Sequence, residues 1–150
     1  MSLENRTMER TKGAPTTQEV AARFDELAQK EMWFEIQDEL FADDVRSADP
    51  PDSPYLRYAE GKAAVRKKGE DFVAKVEEVH GAYTTHPVVG GNHFAVGRGM
   101  DITVKGIGRI RIDEIMVYEV RGGADRGGTV FLLIQRPREL SRHMVFSIAN

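Results

Sequence analysis

The spacing of apolar residues changes near residue 80, from a helical period to a strand period. Before that point, Val20, Phe24, Leu27 and Ala28 recur every three or four positions and predict an amphipathic helix over residues 17–30. Thr16 or Thr17 supplies its N-cap, with Glu19 in the first turn. Trp33, Ile36, Gln37 and Leu40 predict a second, short helix ending near Ala42, with Phe34 and Phe41 toward its flank. Val45 to Asp49 is a short strand candidate, stopped by Pro50-Pro51. The proline- and tyrosine-bearing segment that follows, residues 50–58, is a loop long enough to fold over a site. Gly61 precedes a third helix over residues 62–79, with Val65, Gly69, Phe72 and Val76 on one face. Its Lys62, Arg66, Lys67 and Lys68 read as a solvated outer face.

From His80 the pattern predicts strands over residues 82–89, 92–104, 109–120 and 129–135. Gly90-Gly91-Asn92, Lys105-Gly106-Ile107-Gly108 and the polar run 121–128 are the turns between them. Helices segregated from a run of strands predict an α+β fold: a curved antiparallel sheet wrapped around three N-terminal helices, a cone with a hollow at its open end. Val20, Phe24, Leu27, Trp33, Ile36, Leu40, Phe72 and Val76 are expected to pack against the sheet. Residues 1–15 are polar and are expected to form a flexible arm, leaving a single domain over 16–150.

Two charged residues break otherwise apolar strand faces. In the longest strand, Ile110, Ile112, Glu114, Met116, Tyr118 and Val120 share one face. A carboxylate there is costly unless paired, hydrogen-bonded or protonated. Glu114 meets an arginine on a neighbouring strand, sits near the sheet edge, or stands on a pocket wall. In the preceding strand, Phe94, Val96, Met100 and Ile102 share a face with Arg98, which Gly97 and Gly99 flank. Either a strand irregularity at the glycines turns Arg98 to solvent, or Arg98 lies near Glu114, holds it ionised and offers a seat for an anion.

Composition narrows the function classes. A net charge of -3 with both signs interspersed gives no electrostatic case for nucleic acid or an anionic membrane. The chain has no cysteine, which excludes disulfide and thiolate chemistry and fits a reducing, cytoplasmic compartment. No apolar run approaches membrane-spanning length. His80, His86, His93 and His143 lack tight ligand spacing, and neither a metal nor a cofactor is implied.

Three stretches, in this order, resemble the nuclear transport factor two-like superfamily, and within it SnoaL-like domains, relatives of polyketide cyclases and ketosteroid isomerases. Leu40-Phe41-Ala42-Asp43-Asp44 leading to Asp49-Pro50 is similar to a run in the isomerases. Glu60-Gly61-Lys62-Ala63-Ala64-Val65 is similar to a family helix start, and Asp113-Glu114-Ile115-Met116-Val117-Tyr118 to a family strand carrying an acid. The resemblance covers residues 17–120. It implies that Asp49 is a general base and Glu114 a protonated acid that donates to a developing enolate oxygen. It also implies a homodimer and a small apolar or mildly anionic organic ligand, with Trp33, Tyr58, Phe94, Arg98, Met116 and Tyr118 as ligand contacts. A non-catalytic ligand-binding or dimerisation module of the same fold is the competing reading. The chain departs from the isomerases at Phe24, where they have a tyrosine, at Glu114, where they have an aspartate, and after residue 129.

Overall fold

In the computed structural model, residues 15–48, 58–121 and 128–136 are described, the last of these as backbone only. Among them are three helices: α1 Thr17–Ala28, α2 Trp33–Leu40 and α3 Lys62–Lys75. The strands are β1 Arg46–Ala48, β2 Ala59–Glu60, β3 Val76–Thr84, β4 Val88–Gly90, β5 His93–Val104, β6 Gly108–Arg121 and β7 Gly128–Arg136. They form one sheet in the order β2-β1-β7-β6-β5-β3, with β4 beside β3 on β5. The helices pack on its inner face, giving the expected α+β cone. All the strand pairs are antiparallel except β1 with β7, where Ser47 and Ala48 run parallel to Phe131 and Leu132.

α1 begins as its sequence predicts, with the Thr16 side chain accepting from the Glu19 N–H at 3.2 Å. Val20, Ala21, Phe24, Leu27 and Ala28 form its buried stripe. Phe24 is the hub of the core: its ring centroid lies 5.9 Å from Trp33, 5.2 Å from Phe94 and 4.7 Å from Tyr118. Phe94 and Tyr118 stack across β5 and β6 at 4.8 Å. α2 and α3 come together where Gly69 has no side chain, since a β-carbon there would crowd Phe34 and Gln37 at 3.3 and 3.4 Å.

Two boundaries and one helix face differ from the sequence pattern. α3 ends at Lys75, not near Val79, because β-branched Val76 and Val79 pair with Val104 and Ile102 of β5. The strand expected over 82–89 is divided between β3 and β4 at Thr85-His86-Pro87, where proline has no N–H to give to a ladder. The expected solvated face of α3 is also incomplete. Arg66 lies over the Phe34 ring at 4.2 Å and donates to Asp38, and Lys68 is half-buried.

Of the residues expected against the sheet, Val20, Phe24, Leu27 and Ile36 are buried. Trp33, Leu40, Phe72 and Val76 are half-buried. Trp33, Phe72 and Val76 border an internal space instead of filling it. Truncating Phe24 to alanine removes a ring in contact with three others and is expected to cost about 3–5 kcal/mol in urea unfolding. Phe72→Ala is expected to cost less, because its ring already has a void on one side.

Candidate functional site

Between α2, α3 and the inner face of β3, β5 and β6 lies a cavity of about 390 Å³. Its apolar wall comes from Phe34 and Ile36 of α2, from Val65, Phe72 and Val73 of α3, and from Val76, Val79, Met100, Ile102 and Met116 of the sheet. Polar groups interrupt this wall at Glu31, Glu35, Gln37, Ser47, Lys68, Arg98, Glu114 and Tyr118. A concave apolar chamber with a few polar groups is the usual form of a small-molecule site.

The β5–β6 register places the charged pair. It runs without a shift from His93↔Glu119 to Val104↔Gly108, so Phe94, Val96, Arg98, Met100 and Ile102 all face inward. Arg98 is 6% exposed and stands directly opposite Glu114, itself 8% exposed. The glycines beside Arg98 do not turn it out. They clear the outer face, where Tyr83 lies across Gly99 and leaves no room for a β-carbon, and where Thr85 would crowd one at Gly97 at 3.2 Å.

Arg98 gives its hydrogen bonds away from Glu114. Its Nη1 and Nη2 donate to Glu31 Oε1 and Oε2 at 2.7 and 2.8 Å, a bidentate pair. Nη1 also donates to Thr84 Oγ1 at 3.2 Å and to the Tyr83 carbonyl at 3.5 Å. The guanidinium lies over the Trp33 ring at 4.6 Å, while Trp33 Nε1 donates to Glu31 Oε2 at 2.8 Å.

Glu31 reaches this position through the turn that ends α1. The Met32 N–H bonds the Leu27 carbonyl and the Glu31 N–H bonds the Ala28 carbonyl, the Schellman arrangement. Glu31 occupies its left-handed position, with φ 58°, where glycine is the usual residue. Gln29 Nε2 donates to the Thr84 carbonyl at 3.0 Å and ties the turn to β3. Burial alone would raise the Glu31 carboxyl. The hydrogen bonds from Arg98 and Trp33, with the charge of Arg98, outweigh it and hold the carboxyl below its ordinary 4.5.

Tyr118 is fully buried, and its hydroxyl reaches back along β6 to Met116 Sδ at 3.9 Å, toward the Glu114 end of the face. Burial pushes its phenol well above 10.0, the Glu114 charge adds to this and the Arg98 charge opposes it. A phenol held protonated in a dry wall can donate to a carbonyl or enolate oxygen. At the α3 side, Lys68 Nζ donates to Ser47 Oγ at 2.8 Å, joining α3 to β1.

Of the residues singled out in the sequence, Trp33, Arg98, Glu114, Met116 and Tyr118 line the cavity. Phe94 does not, being sealed in the core between Phe24 and Tyr118. Tyr58 does not either: it is 58% exposed and donates to Glu60. Asp49 lies outside the described residues, as does most of the 50–58 loop. Glu31, Ser47 and Lys68 are cavity residues that the sequence pattern missed. Glu31 carries no motif signal, and with 24 acidic residues in the chain nothing in the sequence marks it as the partner of Arg98. Among the described residues, no group of three or more His, Cys, Asp or Glu side chains is placed to hold a metal ion, and no helix is long and apolar enough to cross a membrane.

Residues 15–127 match the family model of the SnoaL-like domain. The chain belongs to the SnoaL-like domain family. It is similar to a proposed SnoaL-like polyketide cyclase from Mesorhizobium loti, at 28% identity and a TM-score of 0.71, covering 82% of this chain and all of that one. It shares its fold with a cystatin-like protein of unknown function from Xanthomonas campestris, at 12% identity and TM-score 0.65, covering 85% and 95% of the two chains. A hypothetical protein with a ketosteroid isomerase-like fold from Catenulispora acidiphila, solved with trimethylamine, shares the fold at 16% identity and TM-score 0.56, covering 81% and 87% of the two chains. No curated protein matches the sequence. The SnoaL-like cone is therefore the scaffold on which the cavity is built.

The Glu31–Arg98 pair has a pH signature. A carboxyl lowered on folding contributes stability that is fully present above 4.5 and is lost as pH falls through its lower folded value. Urea midpoints measured downward from about pH 6 are expected to fall less steeply in Glu31→Gln than in the unaltered protein, because the amide does not titrate.

Proposed function

We propose that this SnoaL-like protein binds a small organic molecule in the cavity and moves a proton on an enolisable carbonyl compound, in the manner of an isomerase or cyclase. The observation that carries this reading is the pairing of a buried carboxyl, Glu114, with a buried phenol, Tyr118, on the wall of an otherwise apolar chamber. Enolisation needs a base at the carbon and hydrogen-bond donors at the oxygen where charge develops. Tyr118, held protonated by burial, is one donor, and the family resemblance assigns the second hydrogen bond to Glu114 in its protonated form. The family resemblance assigns the base to Asp49.

The direct assay is exchange of the α-protons of 4-phenylbutan-2-one in heavy water, followed by NMR. Asp49→Asn is expected to abolish exchange while binding persists. Glu114→Gln is expected to slow it by a smaller factor, since an amide still donates. A ligand that binds without exchange points instead to a non-catalytic binding module. That second reading is favoured by Phe24, which stands where the isomerases have a tyrosine and is spent on core packing.

The same reading makes the protein a homodimer joined through the outer sheet face. Ile115 and Tyr83 are each 48% exposed there, on a surface of mixed character suited to isologous pairing. Light scattering at micromolar concentration is expected to give twice the 16.8 kDa chain mass, and a clean monomer refutes the assembly.

A further inference from the structure

Among the described residues, Arg98 is the buried cation of the cavity wall, and its carboxylate seat is already taken. Glu31 fills it with both oxygens at 2.7 and 2.8 Å, and Oε2 also accepts from the Trp33 indole. The acid arrives from the rim: its side chain is 47% exposed, while that of Arg98 is 7% exposed. It does so from a backbone position with φ 58° that glycine adopts without strain and glutamate does not. A turn needed only to end α1 would be easier with glycine. The backbone cost is borne where the carboxylate meets Arg98.

We propose that Glu31 is a built-in substitute for a ligand carboxylate, a specificity-determining residue that closes the Arg98 seat to anions and makes the cavity selective for neutral carbonyl compounds. This rests on the reading of the cavity as the ligand site. A free carboxylate must displace one that is tethered beside its seat at high effective concentration. It would then stand beside the displaced Glu31 carboxylate, where like charge opposes it. A neutral ketone asks nothing of Arg98. It needs apolar surface and a donor for its oxygen, and the chamber supplies both through Met100, Ile102, Met116 and Tyr118.

The test uses two probes of nearly equal shape, 4-phenylbutan-2-one and 3-phenylpropanoate, which differ in a methyl group against an oxyanion. Trp33 is the chain's single tryptophan and lines the cavity, so its fluorescence reports binding, with calorimetry as the independent measure. The unaltered protein is expected to bind the ketone at least about tenfold more tightly than the carboxylate. In Glu31→Gln the ratio is expected to move toward the carboxylate by about tenfold or more. Glu31→Gly, which suits the left-handed backbone, is expected to move it the same way and covers the case in which the glutamine variant does not fold. Glu26→Gln removes an equal charge from the exposed side of α1 and separates a local effect from a general one.

A ratio unchanged in both Glu31 variants, a matching shift in Glu26→Gln, or an unaltered protein that prefers the carboxylate would each overturn the role of Glu31 while leaving the cavity reading intact. Failure of the unaltered protein and both variants to bind either probe would remove the cavity reading and this proposal with it.

Discussion

The site depends on the ladder between β5 and β6. Its register runs unbroken from His93↔Glu119 to Val104↔Gly108. A one-residue slip in either strand would send every inward side chain of that strand to the other face. With the register as it stands, Phe94 stacks on Tyr118 to close the core, and Arg98 and Glu114 face the cavity together. The glycines that flank Arg98 belong to the same constraint. They give up side chains so that Tyr83 and Thr85 can lie flat on the outer face, and the ladder crosses them without a bulge.

An arginine on that inner face creates a problem that the rest of the chain has to solve. A buried guanidinium without a partner destabilises a fold by several kcal/mol. The partner is Glu31, delivered by the turn after α1 and fixed there by Trp33, while Gln29 ties the same turn to Thr84. Helix ending, charge neutralisation and the shape of the cavity rim are thus parts of one interaction. It draws α1 onto β3 and β5 and sets the Trp33 ring against the guanidinium. The electrostatics of the cavity follow from it as well, because the charge of Arg98 is directed first at Glu31 and not at whatever enters the chamber.

Membership of the SnoaL-like family accounts for the cone and for the place of the cavity, and the residues on the wall determine its chemistry. In this chain the wall joins an aromatic and aliphatic surface to Tyr118 and Glu114. The ring contacts of Phe24 hold α1 to the sheet.

Much of this was readable in the chain. The change of apolar period near residue 80 separates helices from sheet because a helix buries a stripe every 3.6 residues and a strand every second one. The same alternation singled out Glu114 and Arg98 as charged residues on apolar faces, and both line the cavity. The quoted stretches carried the family. Local pattern failed where a distant partner decided the outcome. Val76 and Val79 fit a helix period, yet β5 offers them a ladder, and pairing overrides propensity. Phe94 and Met116 both sit on inward faces, and only the packing of Phe24 seals one in the core and leaves the other on the cavity wall. Lys68 looked like surface until β1 placed Ser47 beside it. Glu31, most of all, is an ordinary acid at the end of a helix until the tertiary structure sets Arg98 across from it, 67 residues further along the chain. Periodicity tells which face a side chain takes on its own element. Which charges meet depends on how the elements pack, and that is decided by contacts between residues far apart in sequence.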